Sequence, residues 1–137
     1  ELNQLSAMVM GSTINRCSRH VALVQEGSVL DVYMRTSATN IKGEPPTSVA
    51  DQVLSGRTHV VLTRTADGVT TLYVNGAVVS TTTDTASLRN WEPWPRLHLG
   101  AQRNGTKPWL GTVYLFAVYD RALGADEVQT HLRVGDV

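Results

Sequence analysis

This sequence predicts an antiparallel, all-β protein: two sheets packed face to face, with one short helix near the C-terminal end. Three observations carry the prediction. Alternating or β-branched runs recur along the chain with turn dipeptides between them. Thr and Val, which suit a pleated and half-buried surface, are plentiful, while long helical periodicity is nearly absent. Helix signals converge at one place only, about 125–133.

Taken in order, "SAMVMG" (6–11) is a short strand. "RHVALVQ" (19–25) and "SVLDVYMR" (28–35) flank Glu26-Gly27, a tight-turn dipeptide. The stretch 37–52 carries Gly43, Pro45 and Pro46 and reads as a long surface loop. "RTHVVLTRTA" (57–66), "VTTLYVN" (69–75) and "AVVST" (77–81) are separated by Asp67-Gly68 and Asn75-Gly76. Both dipeptides suit a two-residue turn with positive φ at its centre, so 57–81 is expected to be a three-stranded meander. Val60 and Leu62 share a face of it, as do Leu72 and Val74; the pattern leaves open which faces are core. A polar loop follows at 82–95. "RLHLGA" (96–101) is a strand with Leu97 and Leu99 on one face, and 102–108 is a turn region. "WLGTVYLFAVYD" (109–120) is the longest apolar run, apolar at both alternating sets, and is expected to be a central strand.

The helix has a start signal of its own. Gly124 stands at the N-cap, and Glu127, three residues on, can reach back to free backbone N–H groups. Leu123 and Val128 are spaced for a hydrophobic staple. Packing must hold so short a helix, because propensity alone does not.

At 137 residues the chain is expected to form one domain, 1–137. Twelve basic and twelve acidic residues cancel. Without a basic field there is little counterion release to gain, which argues against a nucleic-acid partner. No apolar run approaches the ~20 residues that span a bilayer, so no membrane insertion is expected. Cys17 is the sole cysteine, which excludes an internal disulfide or a cysteine zinc cluster and is most often a small buried hydrophobe. The sequence starts at Glu1 without a charged and apolar leader; the expectation is a processed form or a fragment.

These residues resemble a family. "THVVLTRTADGVTTLYVNGAVVS" is similar to the central hairpin of laminin-G-like, concanavalin-A-like jelly rolls. "RLHLGAQRNGTKPWLGTVYLFAVYDRALGADEV" resembles the closing segment of the bacterial branch, with Tyr119, Arg121, Ala122, Leu123, Glu127 and Val128 matching and Gly124 in place of the usual Ser. "MRTSATNIKGEPP" resembles its mid-domain segment. The resemblance implies a two-sheet jelly-roll sandwich that lacks the usual N-terminal strands. An edge left open that way invites strand addition from a neighbouring chain.

Each chemical candidate has a plainer reading. Glycoside hydrolysis needs two carboxylates about 5–9.5 Å apart. No predicted strand carries acidic residues at alternate positions, and helix capping accounts for Asp126-Glu127; no catalytic residue is assigned and no enzyme is expected. His20, His59, His98 and His131 have no partner at metal-ligand spacing, so no metal site is assigned. Family resemblance raises Ca²⁺, with Asp84, Asn90, Glu92 and Asn104 as candidate ligands, short of the six or more oxygens a hard cation needs. The most suggestive stretch is "LRNWEPWPR" (88–96). A flat aromatic face beside polar groups is what a pyranose ring binds. Asn90, Trp91, Glu92 and Trp94, with Arg103, Asn104 and Trp109 from the next turn, are the candidate ligand-binding residues. The alternative is that the tryptophans plug the end of a sandwich.

The resemblance implies an extracellular or periplasmic, non-catalytic recognition module that binds glycan or another surface polymer, or a protein partner, through its loops. The other reading is a structural subunit of a larger assembly or fibre, completed by a strand from a neighbour.

Overall fold

The computed structural model describes residues 6–15, 17–52 and 54–135. Glu1, on which the reading of the chain's start rests, lies outside them. The chain divides into two compact units, Glu1–Ser55 with Ala86–Leu115, and Gly56–Thr85 with Phe116–Val137.

The first unit is a five-stranded antiparallel sheet in the order β4-β3-β2-β1-β8. Its strands are β1 (Ala7–Thr13), β2 (Arg19–Glu26), β3 (Val29–Met34), β4 (Thr47–Val49) and, after the intervening meander, β8 (Arg96–Leu99). Glu26 pairs with Val29, so the turn is Gly27-Ser28, one residue later than expected. Gly27 supplies the positive φ of 60° at its first position. Met8, Ala22 and Val24 form a buried cluster with Tyr33 against it. Gln25 is buried yet fully used. Its Nε2 donates to the carbonyl oxygens of Gly27 (3.0 Å) and Gln52 (2.8 Å), and its Oε1 accepts from Leu54 N–H (3.0 Å). One amide thus pins the end of the 37–52 segment to the hairpin. Within that segment, expected to be loop throughout, β4 pairs with β3 through Thr47 and Val49. A three-residue strand is too short to show a period.

The second unit is the expected meander, β5 (Val60–Arg64), β6 (Val69–Val74) and β7 (Ala77–Thr83), followed by α1 (Ala125–Gly135). Asn75 and Gly76 take φ of 49° and 78°, the two-residue turn that matches strand twist. The Asp67-Gly68 connection differs. Thr65 N–H donates to the Val69 carbonyl oxygen (2.9 Å), and of the two residues only Gly68 has positive φ (88°). That is a three-residue loop closed by a left-handed glycine. Arg64 and Asp84 brace it, Nη2 to Oδ1 at 2.8 Å.

The helix packs on one face of the meander: Tyr73, Leu123 and Val128 form a cluster with Val61. Leu62 pairs with Leu72 on the opposite face, where Leu72 is buried. Glu127 Oε2 accepts from Gly124 N–H at 2.9 Å, the capping contact its spacing predicts. The Arg121 guanidinium grips the same carboxylate, Nη1 to Oε2 at 2.8 Å and Nη2 to Oε1 at 2.5 Å. Arg121, then the Gly124 N–H, hold this carboxyl down to about 2.

Two expectations fail here. The run 109–120 contains no strand, and Leu115 (78% exposed) and Val118 face solvent. A continuous apolar run suits a strand buried on both faces, but a ladder partner decides whether one forms; this run passes from one unit to the other between Leu115 and Phe116. Leu97 and Leu99 share a face of β8 as expected, but on an edge strand both are exposed. Cys17 is exposed rather than buried, because it sits in the turn that Asn15 Oδ1 caps by accepting from the N–H groups of Cys17 and Ser18.

Candidate functional site

The site grows from one end of the five-stranded sheet. Thr13, the last residue of β1, stands opposite Arg19 of β2 and Arg96 of β8. The register with β2 slips there, from Ser12↔Val21 to Thr13↔Arg19, which passes over His20. Such a bulge disrupts the ladder and re-aims side chains.

His20 is 1% exposed, and the loop leading to β8 is built around it. The Trp91 indole stacks on its imidazole, centroids 4.8 Å apart and planes 12° apart. Trp91 Nε1–H donates to the Arg35 carbonyl oxygen at 2.6 Å, and Asn90 Nδ2 donates to the Thr36 carbonyl oxygen at 3.0 Å. Arg35, itself buried, donates from Nη1 to Glu92 Oε2 (2.7 Å) and to Ser18 Oγ (2.8 Å). His20 Nε2 lies 3.2 Å from both Glu92 Oε2 and Glu92 N. It serves one or the other: protonated it donates to the carboxylate, unprotonated it accepts from the N–H. Arg35 first, then His20, holds the Glu92 carboxyl below the usual range.

This cluster divides the candidate residues. Asn90, Trp91 and Glu92 are each bonded within the protein. Trp94 is not: it is 89% exposed and held at φ 69° between Pro93 and Pro95. A bulky residue in the left-handed region is a genuine outlier, costing about 1–2 kcal/mol. Anchored Glu92 before it and β8 after it fix the segment, and the prolines restrict what lies between.

Arg103 and Asn104 line a shallow depression with Met8, Thr13, Asn15, Arg19 and Gln102. Met8 reaches its place over β1 because position 11 is glycine: a Cβ there would stand 2.7 Å from Met8 Sδ. Arg103 Nη1 donates to the Ile14 carbonyl oxygen at 2.8 Å, fixing the 102–106 turn over the strand end. The Arg19 guanidinium lies over the Tyr33 ring, 4.7 Å from its centroid. Among the described residues the buried Thr13 hydroxyl has no hydrogen-bond partner.

Trp109 stands apart from these residues. It is half-buried, its N–H donates to the Gly100 carbonyl oxygen at 2.7 Å, and its ring occupies the space a Gly111 side chain would need. Three of the calcium candidates have partners within the protein. Asp84 is paired with Arg64, Glu92 with Arg35, and Asn104 Oδ1 accepts from Thr106. Among the described residues no group of three or more His, Cys, Asp or Glu side chains could hold a metal ion. Thr13, Asn15, Arg19, His20, Arg35 and Gln102 were not site candidates from sequence. Only the strand register brings them to the loops, and no local pattern marks them.

Two antiparallel sheets and one C-terminal helix make this an all-β protein of the concanavalin-A-like class. The chain belongs to the Laminin G 3 family, described as concanavalin A-like lectin/glucanases superfamily, whose model matches residues 2–129. That description spans both sugar-binding and sugar-cleaving proteins. No curated protein matches the chain. Among solved structures it is similar to an S-layer domain-containing protein from Clostridium thermocellum ATCC 27405, at 23% identity and a TM-score of 0.41, over 86% of this chain and 58% of that one. The chain therefore spans less than two thirds of that structure.

Proposed function

We propose that this chain is a non-catalytic, extracytoplasmic recognition module that binds glycan through the loops flanking β8. The observation that carries the reading is Trp94, an exposed indole held in a costly backbone conformation by prolines and an anchored neighbour. Strain of that kind at an exposed aromatic points to use, since packing gains nothing from it. A preset flat face loses little entropy when a sugar ring stacks on it. The carboxylates of Glu26, Asp84, Glu92 and Glu127 are each engaged by Lys107, Arg64, Arg35 and Arg121. That leaves these four poorly suited to serve as a general acid or nucleophile. The test is retention on a polysaccharide array. Trp94→Ala is expected to abolish it at unchanged melting temperature; undiminished retention overturns the reading.

A second reading, a subunit completed by a strand from a neighbouring chain, draws on the apolar segment 109–119, which lies outside any strand with Leu115 and Val118 exposed. Sedimentation velocity decides it: a monomer at all concentrations rejects self-association.

A further inference from the structure

We propose that the depression between Thr13, Arg19 and Arg103 receives the carboxylate of an acidic saccharide. The proposal rests on the glycan reading above and names the chemical class of the ligand.

Three observations converge on it. The first is charge. Among the described residues neither Arg19 nor Arg103 is in an ion pair, whereas Arg35, Arg64 and Arg121 each hold a carboxylate. Arg103 spends one of its five donors on the Ile14 carbonyl oxygen, and Arg19 rests on an aromatic face. Two arginines in one depression, with no acidic residue among its described lining, favour an anion, and the planar fork of Arg matches a carboxylate.

The second is the Thr13 hydroxyl. The residue is 6% exposed, lines the depression, and its Oγ1 has no hydrogen-bond partner among the described residues. A buried unpaired hydroxyl costs stability. Val would fill the same space on a strand without that cost, so packing does not explain the hydroxyl.

The third is the company these groups keep. Asn15 and Gln102 bring side-chain amides to the lining, suited to sugar hydroxyls. Arg96, opposite Thr13 in the sheet, is two residues from Trp94. Two residues of chain reach at most about 7 Å. Trp94 and Thr13 therefore stand at one end of one sheet, within the span of a short oligosaccharide.

The experiment uses an array of glycans bearing galacturonate, glucuronate or sialate, each beside its methyl ester, with affinities for the retained glycans measured by calorimetry. The acid is expected to bind at least tenfold more tightly than its ester, with the advantage shrinking as NaCl rises. Thr13→Val is expected to weaken binding about fivefold, the worth of one hydrogen bond, while its melting temperature holds or rises. Arg103→Gln and Arg19→Gln are each expected to remove most of the preference for acid over ester. Equal binding of acid and ester, or full affinity in Thr13→Val and Arg103→Gln, overturns the proposal. If esters and neutral glycans are retained in a Trp94-dependent way without preference for acid, the depression fails and the glycan reading stands. If no saccharide is retained, both fall.

Discussion

The indole of Trp91 lies flat against the imidazole of His20, 12° from parallel, with its N–H on the Arg35 carbonyl oxygen. Three residues along the same loop, Trp94 has no such support and is exposed. The two tryptophans of one short motif therefore do different work, and substitution separates them. Trp91→Ala removes a stack and a hydrogen bond, and is expected to destabilise by about 2 kcal/mol. Trp94→Ala is expected to stay within about 0.5 kcal/mol of the parent. Urea unfolding of both variants measures the contrast; equal losses would remove the distinction.

The Glu127 carboxyl gives a pH signature. It titrates at about 2 when folded, against an ordinary value of 4.5, because Arg121 and then the Gly124 N–H favour the charged form. A depressed carboxyl stabilises the fold above its unfolded value, and that contribution is lost as pH falls from about 4.5 through about 2. Glu92, lowered by Arg35 and then His20, acts with the same sign. The melting temperature is therefore expected to fall across this window. Glu127→Gln is expected to lower it at pH 7 and to flatten the acid limb.

The staple at the start of α1 is testable by truncation. Leu123 and Val128 are both buried against Tyr73 and Val61. Val128→Ala is expected to cost about 2 kcal/mol, and Leu123→Ala about 2 kcal/mol or more. The gauge is chemical denaturation, with loss of helical circular dichroism.

Glycines offer an internal control. Gly68 and Gly105 both sit at positive φ, 88° and 76°. A side chain at Gly105 would meet nothing within 4 Å, whereas one at Gly68 would fall on the Asp84 carbonyl group. Gly105→Ala is expected to cost about 1 kcal/mol for its backbone conformation alone. Gly68→Ala is expected to cost clearly more, because the Arg64–Asp84 brace must shift. Equal losses in thermal unfolding would mean that the loop yields freely.

What could be read from the residues was what is local. The meander follows from alternation and from Asn75-Gly76, and the helix start from the spacing of Leu123, Gly124, Glu127 and Val128. These signals act within a few residues and need no knowledge of the rest. The run 109–120 misled because its alternation gives a strand's appearance without naming a partner. The candidate site was half legible. Trp94, Arg103 and Asn104 stood out by residue type in polar loops. Thr13 and Arg19 did not, because what marks them is an unmet hydroxyl and an unneutralised charge, and both emerge only once β1, β2 and β8 lie side by side.

The pairing of β1 with β8 carries a kinetic consequence. Met10–Thr13 bond to Arg96–Leu99, so the outer border of β1 stays bare until the chain as far as Leu99 has left the ribosome. Closing so long an intervening stretch is slow, on the order of milliseconds to seconds for topologies of this kind. During that interval the nascent chain presents an unfinished ladder, and folding yield should depend on how well crowding neighbours are kept from completing it first.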